Sequence, residues 1–133
     1  MNPLYPAAAE RAENRCEYCR APEQVFNFSF EVEHILPRSS GGGSETDNIA
    51  LACESCNLHK ASTVEAWDEA EGRAVPLFHP RQDRWELHFR YDSASAHVVG
   101  LTATGRVTVI CLKINSDFQL RARRHWLRLN LFP

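Results

Sequence analysis

Phe26, Phe28 and Phe30 alternate with polar neighbours, and Glu31-Val-Glu-His-Ile35 keeps the same period of two, which predicts a strand that Pro37 ends. Asn48-Ile-Ala-Leu-Ala52 is apolar enough to pair back as a second strand, and the glycines at 41, 42 and 43 between them predict a mobile loop over Arg38 to Ser44. Helix propensity is high from Ala7 to Asn14 and again from Glu54 to Ala61. Thr63 to Pro76 is acidic without clear periodicity and reads as a connector. Trp85 to Tyr91 alternates cleanly and, with His97 to Leu101, predicts a hairpin across Asp92 to Ala96. Val107, Ile110, Cys111 and Ile114 fall at helical spacing, although their β-branched content leaves a third strand open. Ser116-x-x-Gln119 has the form of a capping box and predicts a final helix reaching about Leu129. The sum is an α+β chain.

At 133 residues the chain is long enough for one domain with a modest core, a first part over 1–62 and an extension over 63–133 packed on it. Fifteen basic against seventeen acidic side chains give a formal charge of −2, so attraction to nucleic acid would have to come from a local basic face rather than from the whole. No apolar run approaches the ~18 residues of a membrane span, and the chain begins without a charged and apolar secretion signal; the expectation is a cytoplasmic protein with no membrane contact.

In a reducing compartment two Cys-x-x-Cys pairs, Cys16/Cys19 and Cys53/Cys56, are metal ligands rather than disulfides. Each pair sets two thiolates on one tight turn, and two turns brought together make the four soft ligands of a closed, structural zinc site. A thioredoxin-like redox motif would need a βαβ setting, which neither copy has. Cys111, in an apolar stretch, reads as a buried free thiol.

The residues between and after the cysteines supply the parts of phosphodiester hydrolysis, which needs a base for the attacking water and a cation to offset developing charge. His34 suits a general base at neutral pH, and on a strand Glu33 points to the opposite face. Glu33 and Asn57 offer the hard oxygens of a Mg²⁺ or Mn²⁺ site, with His59 an alternative ligand or a plain exposed helix histidine. Asn48 suits a hydrogen bond to the glycine-loop backbone that would hold His34 in place.

Cys16-x-x-Cys19, Val32-Glu-His-Ile-Leu-Pro37, Gly41-Gly42, Asp47-Asn48-Ile-Ala-Leu and Cys53-x-x-Cys56-Asn57-x-x-Lys60 together resemble the HNH endonuclease family over about Asn14 to Ser62. The resemblance implies a ββα-metal core carrying a four-cysteine zinc site, with a C-terminal hairpin and helix extension. It makes His34 the general base, Glu33 and Asn57 ligands of the catalytic divalent ion, and Asn48 the loop-positioning residue. It also implies DNA cleavage leaving 3′-hydroxyl and 5′-phosphate ends. Many members carry aspartate where Glu33 stands, one methylene shorter. The stretch from Val75 to Arg81 with Arg84-Trp85 more loosely resembles the extension of small stand-alone bacterial HNH proteins.

Arg38 and Lys60 are the expected phosphate contacts within the motif. On the last predicted helix Arg121, Arg124, His125 and Arg128 share one face, either a phosphate-tracking stripe or a solvated surface. The reading is a metal-dependent endonuclease acting on DNA, with RNA left open and oligomeric state unknown. The competing reading is a zinc-knuckle module that binds nucleic acid or protein without cutting; it needs the cysteines and has no use for Glu33, His34 and Asn57 together.

Overall fold

The computed structural model describes residues 2–133. Helix α1 (Tyr5–Arg11) opens with a proline in its first turn and closes before Glu13 and Asn14, each at φ +54°. It starts earlier than propensity suggests because Pro6 presets helical φ, and it stops short of Asn14 because two consecutive left-handed residues cannot continue a helix.

Strands β1 (Glu31–His34) and β2 (Ile49–Ala52) form an antiparallel pair with Glu33 opposite Ala50 and His34 opposite Ile49. The alternation from Phe26 to Phe30 does not extend β1. Instead Phe26 meets Phe28 and Phe30 edge to face at 5.9 and 4.9 Å, so those phenylalanines satisfy each other rather than a sheet. Helix α2 (Glu54–Lys60) follows β2 directly, its first turn capped by the Cys53 sulfur, which accepts from Cys56 N at 3.4 Å.

The segment expected to be a connector is a hairpin, β3 (Glu65–Asp68) with β4 (Arg73–Pro76). Only Asp68 and Val75 in it are buried, so no hydrophobic alternation announces it. What holds it is polar: Asp68 accepts from Glu71 N at 2.9 Å at the turn and from Nε and Nη2 of Arg106 at 3.1 and 2.9 Å. The expected strand from Trp85 is also corrected, since Trp85–His88 is one helical turn, α3, before a short strand β5 (Phe89–Tyr91) that pairs with β6 (Val98–Gly100). Trp85 is turned inward because its indole N–H donates to Tyr18 O at 2.8 Å.

Val107 to Cys111 is helical, in α4 (Ala103–Cys111), started by the Thr102 hydroxyl accepting from Gly105 N at 3.0 Å. That cap outweighs the β-branched content. Helix α5 (Asp117–Arg128) starts on Ser116, whose hydroxyl accepts from Gln119 N at 3.3 Å. The buried apolar cluster runs through both parts of the chain, from Ala50 and Leu51 to Phe78, Phe89 and Trp126. Cys111 is a free thiol at its margin, partly rather than fully buried. Among the described residues no helix is long and apolar enough to cross a membrane.

Candidate functional site

The four motif cysteines converge, each fully or almost fully buried, with their sulfurs within 4.8 Å of one another. Local structure explains the approach. Cys16–Cys19 is a tight turn closed by Arg20 N on Cys16 O at 2.9 Å, with Arg20 at φ +69°. Glu17 staples that turn to β2, donating its N–H to Leu51 O at 2.9 Å and accepting Leu51 N–H on its carboxylate at 2.8 Å. Cys53 and Cys56 sit on the first turn of α2. Cys19 and Cys53 sulfurs lie 3.7 Å apart, far beyond a disulfide and close to the ~3.8 Å edge of a tetrahedron built on ~2.3 Å Zn–S bonds. Hydrogen bonds from Cys16, Cys53 and Cys56 pull the Cys19 thiol well below its usual range, and bonds within the same cluster push Cys53 and Cys56 well above theirs. Sulfurs buried this close together cannot all carry negative charge unaided, a conflict that a divalent soft-ligand ion removes. The donor set fits structural zinc.

Strand period sorts Glu33 from His34: the first is buried and the second half-exposed. His34 Nε2 lies 3.0 Å from Ser44 Oγ and accepts from Arg38 Nε at 3.3 Å. An atom that accepts from a guanidinium carries the lone pair a base needs. Arg38 Nη2 also donates to Ser44 Oγ at 3.3 Å, so His34, Arg38 and Ser44 form one small exposed group. Ser44 is the member that sequence reading passed over, because nothing in its spacing marks a serine after three glycines.

Asn48 ties both sides of the glycine loop. Its Oδ1 accepts from Leu36 N at 2.8 Å, and its Nδ2 donates to Leu36 O at 3.0 Å and to Gly43 O at 2.8 Å. Gly42 N donates to Pro37 O at 2.9 Å, and a Cβ on Gly42 would come within 1.8 Å of Leu36 O. The segment read as a mobile loop is thus held at several points, with one glycine demanded by close approach and Gly41 by φ +91°.

Glu33 faces inward, and the group from α2 that reaches it is Lys60. Lys60 Nζ lies 2.6 Å from Glu33 Oε1, an ion-pair contact without aligned hydrogen-bond geometry, and donates to Ile35 O at 3.0 Å. Tyr18 O–H donates to Glu33 Oε2 at 2.7 Å. Burial is the main influence on the Glu33 carboxyl and raises its pKa, while Lys60 and Tyr18 pull it back down. Burial is also the main reason the Tyr18 phenol is pushed well above its usual range. Lys60 is therefore a buried counter-charge, not the surface phosphate contact expected from the motif. Glu33 Oε2 is taken by Tyr18 and Oε1, which has no hydrogen-bond partner, lies against Lys60, so a hard cation would reach this carboxylate only by displacing Lys60. Tyr18 was hidden in the sequence as an interior residue of Cys-x-x-Cys.

Asn57 is half-buried on α2, and His59, also half-buried, has Nδ1 3.4 Å from Ser55 Oγ one turn earlier. Arg121, Arg124, His125 and Arg128 are exposed along α5. Arg123, between them in sequence, is fully buried and spends its guanidinium on Ala96 O, Asn115 Oδ1 and Ile114 O at 2.9, 3.1 and 2.8 Å.

No curated protein and no solved structure matches the chain. The model of the HNH endonuclease family matches residues 16–63, a span that begins at the first zinc-type cysteine, takes in β1, the glycine loop and β2, and ends just past α2. Strand, loop, strand and helix around a four-cysteine cluster are the structure over that same span, and the chain therefore carries a domain of the HNH endonuclease family at residues 16–63.

Proposed function

We propose that this domain hydrolyses phosphodiester bonds in DNA, with His34 as the general base. The observation that carries the reading is the exposed His34–Arg38–Ser44 group, in which Nε2 is an acceptor at the protein surface beside a guanidinium. His34 takes a proton from the attacking water at Nε2, and Arg38 turns from Nε2 to a phosphate oxygen as the substrate enters. Asn48 keeps the loop from Leu36 to Gly43 closed, so that Ser44 stays within reach of the imidazole. Rigid placement of this kind supports a near-attack geometry that a free glycine loop would not.

Nucleases of this family generally use a divalent ion. Such an ion would stabilise charge on the phosphorus oxygens and the leaving group. Glu33 as it stands is the counterion of Lys60, which leaves Asn57 and His59, both half-buried on α2, as the side chains open to such an ion, while the roles assigned in hydrolysis fall to His34, Arg38 and Asn48.

The test is incubation of zinc-loaded protein with supercoiled plasmid, single-stranded DNA and RNA across Mg²⁺, Mn²⁺ and EDTA, with His34→Ala beside it. Metal-dependent cutting that falls at least ~100-fold in the variant, at unchanged zinc content and melting temperature, is the expected result. Cutting retained by pure His34→Ala would move the base elsewhere, and tight binding without any cutting would favour the zinc-knuckle reading.

A further inference from the structure

An apolar groove of about 370 Å³ opens between α2, α5 and the phenylalanine segment before β1, walled by Phe26, Phe28, Leu58, Phe118 and Trp126. Three of these are unusually open for large apolar side chains: Phe28 is 48% exposed, Leu58 70% and Phe118 74%. The rings are ordered from mouth to floor, with Phe28 edge-on to Phe26 and Phe26 6.2 Å from Trp126. Phe118 is also a wall of a second hollow, lined by Arg121 and Arg124 together with Asp117. Arg121 places its guanidinium 4.9 Å over the Phe118 ring. One aromatic side chain thus divides a slot of aromatic surface from a slot of positive charge.

That juxtaposition selects an occupant. A protein segment or a second copy would cover the apolar wall, but only one with carboxylates at the matching spacing would also use the guanidinium groups one residue-width away. A nucleotide has both parts, a flat base and an anionic phosphate. The charge argument is local: the chain as a whole is at −2, yet Arg121, Arg124 and Arg128 gather on the exposed side of α5 against Asp117, with Glu54 on the facing rim of the groove. Duplex DNA keeps its bases stacked and inaccessible to such a slot, whereas an unpaired strand offers them freely. The groove also meets α2 at Leu58 and His59, and seven residues of that helix span only about 10 Å. A strand held there lies beside the domain that carries His34.

We infer that the trough formed by Phe28, Phe118, Trp126, Arg121 and Arg124 holds unpaired nucleotides, a base in the aromatic groove and its phosphates on the arginines, so that the preferred substrate contains a single-stranded segment. The inference rests on the phosphodiester reading for its purpose, though not for its test.

The test measures binding and cutting separately. Fluorescence anisotropy with zinc-loaded full-length protein, no added Mg²⁺ or Mn²⁺, a labelled short oligo(dT) and a blunt duplex of equal length gives the affinities. Phe28→Ala with Phe118→Ala is expected to weaken oligo(dT) binding at least ~5-fold, the loss of a single stacked base, and to leave duplex binding within about 2-fold. Arg121→Gln with Arg124→Gln should weaken both, lowering the slope of log affinity against log salt on oligo(dT) by about 0.7 per lost contact. Phe118→Gln alone, at so exposed a position, serves if the double variant loses zinc or fold. Unchanged oligo(dT) affinity in a folded phenylalanine variant overturns the inference, as does equal loss on duplex. A wild-type dimer by light scattering that the phenylalanine variants dissociate, with oligo(dT) affinity untouched, would assign the groove to self-association and overturn it too. The plasmid assay distinguishes the two proposals: cutting with no groove-dependent binding removes only this one, and groove-dependent binding with no cutting removes only the nuclease.

Discussion

Replacing Lys60 by Met tests the claim that Glu33 is the counterion of Lys60. Both side chains are almost completely buried, 2% and 4% exposed, so the variant leaves a carboxylate in the interior with only Tyr18 to satisfy it. Leaving it ionised there would cost about 3–5 kcal/mol, the usual loss when one partner of a buried pair is removed. Taking up a proton instead costs about 1.4 kcal/mol per pH unit above an ordinary carboxyl pKa of ~4.3, which is ~3.7 kcal/mol at pH 7 and ~1 kcal/mol at pH 5. The Ile35 carbonyl also loses its donor, worth roughly 1 kcal/mol at either pH. The sign follows from linkage. In the variant the folded carboxyl holds its proton above the pH at which the unfolded chain releases it, so stability is highest in acid and falls as pH rises through that window. Wild type leans the same way, since burial already raises Glu33, but Lys60 and Tyr18 oppose it and keep the fall shallow.

The measurement is urea unfolding followed by circular dichroism at pH 5 and pH 7, with zinc saturating in both proteins. Lys60→Met should lose ~4–5 kcal/mol at pH 7 and about half that or less at pH 5, and Glu33→Gln added to it should restore most of the neutral-pH loss. A loss under ~1 kcal/mol at pH 7, or one equal at both pH values, would show that the pair is not the buried ion pair described. If the double variant folds and still cuts DNA, Glu33 is excluded as an obligatory ligand of the catalytic ion. If Lys60→Met still cuts and the folded, zinc-loaded double variant has lost all Mg²⁺-dependent cutting, Glu33 exchanges Lys60 for metal during turnover.

Three further outcomes follow from the same geometry. Cys53→Ser should bind less than one zinc per chain by elemental analysis and lose the fold of residues 16–63, since zinc binding energy there is folding energy. Asn48→Ala, which removes three hydrogen bonds from a half-buried position, should cost ~1–2 kcal/mol by thermal unfolding and lower plasmid cleavage with zinc retained. Gly41→Ala should cost about 1 kcal/mol for its positive φ alone, whereas Gly42→Ala, whose Cβ would strike the Leu36 carbonyl, should cost more and disable cleavage; equal effects would refute the close approach.

The parts of this fold that were legible in sequence are those where one local rule dominates. Cys-x-x-Cys spacing gave the four-cysteine cluster, and Ser116 with Gln119 gave the start of α5. Where long-range polar contacts decide, the sequence was silent. The β3–β4 hairpin exists because Arg106 clamps Asp68 from α4, a contact across 38 positions that no local pattern carries. Trp85 became helical because its indole reaches Tyr18 O, 67 positions earlier. The alternation at Phe26 to Phe30 looked like strand because an aromatic cluster and a strand can share one period. Lys60 misled for a related reason: a lysine at the end of a polar helix reads as surface until a buried carboxylate is found facing it.

The candidate site and the zinc cluster are set by the same pair of four-residue strands. His34 ends β1 and Ile49 faces it from β2; Asn48, immediately before β2, closes the loop that brings Ser44 to the imidazole, and Cys53, immediately after β2, caps α2 and belongs to the four-cysteine cluster. β2 is buried at all four positions, so it cannot slide or tilt without opening the core. A loss of zinc that frees α2 therefore reaches His34 through the β2 backbone and not through any contact between metal and imidazole. Zinc removal should abolish cleavage by displacing the hairpin, and readdition should restore cleavage and the far-ultraviolet spectrum together. Recovery of one without the other would show that the metal acts on the site by some route other than β2.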